Sequence, residues 1–331
     1  MTRRHTPERF DGLSVIVPVY NEQQVLPELY RRLGVVLNTL GMPSEILFVN
    51  DGGSDGSVAY INSLITTDSR VALIELSRNF GKEVAMSAGL DYARGEAVVI
   101  IDADLQDPPE LIPELVAHWR AGYDVVYATR TSRAGESWLK KLTAFLFYRL
   151  VKRLGGVRIP PDTGDFRLLS RRAVNALTTL RERRRFMKGL YSWIGYRQIA
   201  VPYQRDQRFA GVSKWNYWRL WNLALEGITS FTTLPLRLAT YVGLVTALGA
   251  FGYGAYTIIK TLLWGDPVPG YPSLMTVILF LGGMQLIGLG IIGEYLGRIF
   301  DESKGRPLYF VDAYQPSRLD ANTAIDDRPP G

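Results

Sequence analysis

Residues 97–110 read AVVIIDADLQDPPE. Five apolar residues, Ala97 to Ile101, suit a strand buried on both faces of a parallel sheet. The run ends in three carboxylates, Asp102, Asp104 and Asp107. Ligands of open α/β sheets sit beyond the carboxyl ends of the strands. Residues two apart in an extended chain share a side, so Asp102 and Asp104 converge. Such a pair suits Mg²⁺ or Mn²⁺, which take few carboxylates and complete their shells with substrate phosphate. Gln106 offers a side-chain carbonyl as a weaker third ligand. Asp107, before Pro108, Pro109 and Glu110, reads instead as a helix N-cap with a capping-box Glu.

Working outward, the same pattern repeats. Strands are expected at Leu13–Val19, Glu45–Asn50, Val71–Leu76 and Tyr123–Ala128. Helices are expected at Pro27–Leu40, Lys82–Ala93 and Leu111–Ala121. Alternating strands and helices imply a doubly wound α/β domain. Tyr20, Glu22, Asp51, Asp102 and Asp104 all follow strands, so one crevice gathers them. Pro18 fits a strand end. There is no GxGxxG and no GxxxxGKS/T, which argues against a nicotinamide enzyme or an ordinary NTPase.

The 331 residues contain no cysteine and two histidines, His5 and His118. That excludes disulfides, thiolate zinc and cysteine nucleophiles. The net charge of +6 suits nucleic acid, anionic lipid or phosphorylated substrates. The apolar C-terminal third favours the last two over nucleic acid. Residues 1–12 form a polar, basic arm without the apolar core of a signal peptide.

Beyond Arg130 cationic segments accumulate. Residues 136–154 have an apolar seam and a basic face, which fits either an amphipathic helix on a membrane surface or a core-packed helix. Arg181–Lys188 (RERRRFMK) is a dense cationic loop. Arg205–Trp215 carries Arg208 and Lys214 around a flexible Gly211, in a loop suited to closing over a diphosphate. Trp215, Trp218 and Trp221 mark residues 214–235 as an interfacial helix. Two uncharged stretches, Ala239–Ile259 and Tyr271–Ile292, are long enough to cross a bilayer and set two spans of about 238–263 and 271–297 within 236–300. Arg237, Arg298, Lys304 and Arg306 flank them and place both termini in the cytoplasm. Ala250/Gly254 and Gly293/Gly297 have the spacing of helix or protomer contacts, and a homo-oligomer is expected. Residues 301–331 form a polar tail, expected to be disordered from Asp312.

Six motifs in order complete the picture: VIVPVYNE (15–22), VNDGGSDGS (49–57), RNFGKEVAMSAGL (78–90), DADLQDPPE (102–110), TGDFRLLSR (163–171) and RFAGVSKW (208–215). Together they resemble the polyisoprenyl-phosphate glycosyltransferases of glycosyltransferase family 2 over about residues 13–310. The resemblance implies a GT-A catalytic domain (13–213) and inverting transfer of a hexose from a nucleotide sugar to a lipid phosphate. Glucose and UDP are favoured. It further implies that Pro18, Tyr20, Glu22, Asp51, Asp102 and Ala103 cradle the nucleotide. Asp102, Asp104 and Gln106 hold the metal. Arg208, Ser213, Lys214 and Arg130 meet phosphates, with Asp165 at the catalytic centre beside Asp104. Arg130 follows Ala128-Thr129 where relatives carry Gly-Ser. A processive polysaccharide synthase would need a QxxRW motif, which is absent. A non-catalytic sugar-nucleotide sensor would lack a reason for the full metal and cationic set.

Overall fold

The computed structural model describes residues 9–130, 163–183, 185–204, 234–264 and 270–319. The strands are β1 (Phe10–Val19), β2 (Ser44–Asn50), β3 (Val71–Leu76), β4 (Gly95–Ile100), β5 (Val125–Arg130), β6 (Thr163–Ser170), β7 (Gln198–Tyr203) and β8 (Val311–Gln315). They form one sheet in the order β7-β5-β6-β4-β1-β2-β3-β8. The β4-β1-β2-β3 centre is parallel, as expected. The sheet is mixed, however: β6 runs antiparallel to β4 and β5, and β8 antiparallel to β3. The doubly wound reading is corrected to that extent.

Helices α1 (Leu26–Leu40), α2 (Ser57–Thr67) and α4 (Ile112–Arg120) cover one face. Helices α3 (Lys82–Tyr92), α5 (Arg171–Thr179) and α6 (Met187–Trp193) cover the other. Alternate residues of β1 divide between the two cores. Val15 and Val17 pack with Leu29 and Leu33 of α1, and Ile16 packs with the group holding Met86 and Leu90 of α3. A strand buried on both sides must be apolar at every position, which is why its sequence does not alternate. Each fully buried branched side chain here contributes roughly 1.5–3 kcal/mol. Gly89 lets α3 lie close on β1, since a Cβ there would stand 2.4 Å from Ile16 Cγ2.

Pro18 sits where the ladder to β4 has ended. Its register partner is Val49 in β2, while pairing with β4 stops at Ile16–Ile100. The Ile16 carbonyl accepts from Ile101 N–H and the Val19 carbonyl from Asp51 N–H. Pro18 therefore faces the β4 side, where no bond is lost by its missing N–H.

Three expectations need correction. Phe10 to Gly12 belong to β1 rather than to a free arm. The tail is not disordered from Asp312: Val311–Gln315 pair with β3, and Ser317 is buried. Asp107 is not a helix cap. The turn Pro109–Leu111 begins after Pro108 and leads into α4, and Glu110 reaches Arg32 instead of a backbone N–H. The segments 136–154 and 205–233, with Arg208, Ser213, Lys214 and the three tryptophans, lie outside the described residues.

Helices α7 (Leu234–Trp264) and α8 (Tyr271–Ser303) pack alongside each other. They expose Val245, Leu248 and Phe251, and Leu286, Leu289 and Ile292. Among the described residues, one segment, Phe280–Ser303, is long and apolar enough to cross a membrane. The Arg181–Lys188 loop is not merely solvated. Arg181 pairs with Asp91, Arg183 N–H donates to Glu302 at the end of α8 at 2.7 Å, and Arg185 is buried.

Candidate active site

Past β4 the chain keeps a two-residue rhythm. Ile101, Ala103, Leu105 and Asp107 are buried, while Asp102, Asp104 and Gln106 are half-buried. Leu105 has φ 58°, the left-handed region. A branched residue there costs of order 1–3 kcal/mol and persists only where its surroundings fix it. Leu105 is fixed by burial in the core. The turn brings Gln106 N–H to Asp104 Oδ1 at 3.2 Å.

Asp165 arrives from β6. The antiparallel register ends at Ile100–Arg167, and continuing it two residues sets Asp165 opposite Asp102. Between them stands Lys82, the first residue of α3. Its Nζ lies 2.7 Å from Asp102 Oδ2, 2.6 Å from Asp102 Oδ1 and 2.5 Å from Asp165 Oδ2. The Lys82 side chain stays 43% exposed even though its ammonium contacts both carboxylates. Burial opposes the Lys82 charge, but Asp102 and Asp165 outweigh it, so its pKa is raised. Burial likewise opposes the Asp165 charge, yet Lys82 and then Lys188 bring it down to about 2. For Asp102 burial wins, and its carboxyl is raised despite Lys82.

Lys82 owes its place to Asp51. The two Asp51 oxygens accept from Phe80 N–H at 2.7 Å and Gly81 N–H at 2.9 Å. Gly52 must be glycine: its φ is 67°, and a Cβ would stand 2.5 Å from the Arg78 carbonyl carbon. The loops after β1 and β2 are stitched together, with Asn21 Oδ1 accepting from Ser54 N–H and Gln23 Oε1 from Gly56 N–H. Tyr20 stays 51% exposed at the mouth of the crevice.

A second tier lies beneath. Arg167, buried, donates to the Gly164 carbonyl at 2.7 Å and lies over the Tyr191 ring. Glu83 Oε2 accepts from Met187 N–H at 2.9 Å, which ties α3 to α6. Burial, with Asp165 nearby, pushes the Glu83 carboxyl up to about 7. On the other flank the Tyr203 hydroxyl donates to Asp107, and Arg130 stands close to both.

A family description, glycosyl transferase family 2, matches residues 14–178. A second, the GtrB C-terminal hairpin, matches residues 234–299. Over 299 residues the chain is 55% identical to an uncharacterized glycosyltransferase of Synechocystis sp., covering 90% of this chain and 94% of that protein. It is 50% identical to the bactoprenol glucosyl transferase of Shigella phage SfV, covering 90% and 97%. A prophage bactoprenol glucosyl transferase homolog of Escherichia coli is 48% identical, covering 90% and 98%.

This chain belongs to glycosyltransferase family 2.

It is therefore an enzyme of sugar transfer on an α/β, GT-A-like domain. Within that glycosyltransferase, Asp102, Asp104, Gln106 and Asp165 come together at the strand ends. Pro18 lies near the end of β1, Tyr20 and Glu22 follow β1, Asp51 follows β2, Ala103 is packed in the core, and Arg130 flanks Asp107. Asp51 has an additional duty, since both its oxygens hold the loop before α3. Lys82 and Glu83 escaped the sequence reading, although the RNFGKE motif contains both. A charged residue at a helix start reads locally as solvated.

The residues fit a divalent cation whose shell substrate would complete. Asp102 Oδ1 and Asp165 Oδ1 are buried without a hydrogen-bond partner. Asp102 Oδ1 touches Nζ of Lys82 but lacks hydrogen-bond geometry. Among the described residues, no group of three or more His, Cys, Asp or Glu could hold a metal alone. An oxygen-only pair completed by phosphate is the donor set of Mg²⁺ or Mn²⁺.

Proposed function

We propose that this enzyme transfers glucose from UDP-glucose to a polyisoprenyl phosphate, the bactoprenyl or undecaprenyl carrier, with inversion, at the cytoplasmic face of the plasma membrane. The carrying observation is that Asp102, at the end of β4, and Asp165, set opposite it by β6, meet on one cation, Lys82, while each keeps a buried oxygen without a hydrogen bond. The bactoprenol relatives, matched over nearly their whole length, support the acceptor class and the sugar. The hairpin family match and the apolar surfaces of α7 and α8 support two spans, with both termini cytoplasmic. Homo-oligomers and no nucleic-acid partner complete the reading.

An acceptor phosphate oxygen, ionised near neutral pH, attacks the anomeric carbon as the bond to the nucleotide β-phosphate oxygen breaks. The electron pair leaves with the nucleoside diphosphate. Asp102, Asp104 and Gln106 would hold Mg²⁺ or Mn²⁺, which when bound would supply positive charge against the leaving diphosphate. Because the nucleophile needs no strong base, Asp165, held ionised, orients rather than deprotonates. Arg130, Arg208, Ser213 and Lys214 meet donor or acceptor phosphates. Tyr20, Pro18, Glu22, Asp51, Asp102 and Ala103 surround the nucleotide.

The test is purified full-length protein with bactoprenyl phosphate and a panel of radiolabelled nucleotide sugars. Label from UDP-glucose in an organic-extractable lipid phosphate is expected. Polymer would show a processive synthase, and donor binding without transfer would show a sensor.

A further inference from the structure

The site contains a cation that the reaction chemistry leaves unused. Lys82 Nζ is within ion-pair distance of both Asp102 oxygens and of Asp165 Oδ2. It stands between the acid at the end of β4 and the acid that β6 sets opposite. This placement is built, not incidental. Gly81 begins the approach with φ 96°, and the Asp51 carboxylate fixes the Phe80 and Gly81 amides next to it. A solvated lysine would need none of this.

We infer that Lys82 is a resident counter-cation that holds the metal site against free divalent ion, so that metal enters together with the nucleotide diphosphate. The inference rests on the metal reading above. Without substrate, the ammonium already supplies the positive charge that Asp102 and Asp165 require. A divalent ion arriving alone must displace or approach that charge, and two like charges on one carboxylate oppose each other. A nucleotide diphosphate changes the balance, because its oxygens give the ammonium a second anion to turn to. Asp102 is then released to the metal. Coupling of this kind is reciprocal: metal strengthens nucleotide binding by the same factor that nucleotide strengthens metal binding. Lys82 is thus a positioning residue for the metal and only through it for the transfer.

The experiment follows Mn²⁺ binding to full-length protein in detergent. Free Mn²⁺ is read by electron paramagnetic resonance, without nucleotide and with saturating UDP. The wild type is expected to bind Mn²⁺ weakly alone and much more tightly with UDP. Equal affinity in the two conditions overturns the proposal, whatever any variant does. Lys82→Met and Lys82→Gln are expected to bind Mn²⁺ alone about tenfold more tightly than wild type, with a correspondingly smaller response to UDP. Lys82→Arg, which keeps the charge, should follow the wild type. Unchanged or weaker Mn²⁺ binding in both neutral variants sinks the inference. Asp102→Asn separates the two levels. If it binds Mn²⁺ with UDP as the wild type does, the metal reading itself fails. If it does not, and Lys82→Met matches the wild type, only the role given to Lys82 is lost.

Discussion

Two clusters of buried acid and base occupy opposite ends of the same strands. At the strand starts, Glu45 Oε1 accepts from Ser14 Oγ at 2.6 Å and from Arg94 N–H at 2.9 Å. Its Oε2 accepts from Arg94 Nε and from Ser317 Oγ, both at 3.0 Å. At the strand ends, Asp102 and Asp165 share Lys82, yet each keeps one buried oxygen without a hydrogen bond. The first cluster is closed and has nothing left to offer a ligand. The second is under-satisfied, and buried polar atoms are rarely left so unless something else completes them. Similar residues thus form a closed cluster at one end of the sheet and an under-satisfied one at the other.

The sharpest way to break this contrast is to cut the closed cluster. Glu45→Ala leaves the half-buried Arg94 without its acid and should cost about 3 kcal/mol of stability. Thermal melts in detergent should show that loss, with the transfer rate per folded molecule unchanged. Asp165→Asn should act on the chemistry. Its turnover should fall about a hundredfold or more with donor affinity near wild type, and its melting temperature should drop as well, because a carboxyl held down to about 2 stabilises the fold at neutral pH. Full turnover with normal donor affinity would remove Asp165 from the chemistry.

Tyr203→Phe probes the flank. It deletes one donor to buried Asp107, and a loss of about 1–3 kcal/mol in stability is expected. No change would mean that Arg130 alone suffices for Asp107. The smallest effect concerns Glu83, whose carboxyl rises from 4.5 to about 7 through burial and then Asp165. A folded-state value above the unfolded one means that Glu83 favours the fold while protonated. That contribution is complete below pH 4.5 and is lost as pH climbs through 7. Glu83→Gln should flatten the pH dependence of melting across that window and melt relatively hotter above it. Parallel melting curves for the two proteins across the window would show that Glu83 titrates normally.

The parallel centre of the sheet was legible because strands buried on both faces must be apolar throughout. Asp102 and Asp104 stood out as candidates because carboxylates at the ends of such strands have no packing purpose, whereas Asp165 was marked only by the motif resemblance. What stayed hidden depends on distant partners. Asp107 carries every local mark of a helix cap, and only Tyr203, 96 residues away, shows that it is buried instead. Lys82 gains its meaning from acids 20 and 83 residues away. The strand VDAYQ is too short and polar to announce itself, and its pairing with β3 supplies the missing energy.

That last strand has a practical consequence. The chain leaves the catalytic sheet, runs through α7 and α8, and returns to cover β3 with β8. Trimming away everything from Leu234 onward, as one would to obtain a water-soluble catalytic half, also strips β3 of its neighbour. The bared edge would present open amides and carbonyls to any passing chain. The shortened protein is therefore a poor candidate for a monodisperse sample unless residues 311–317 are grafted back.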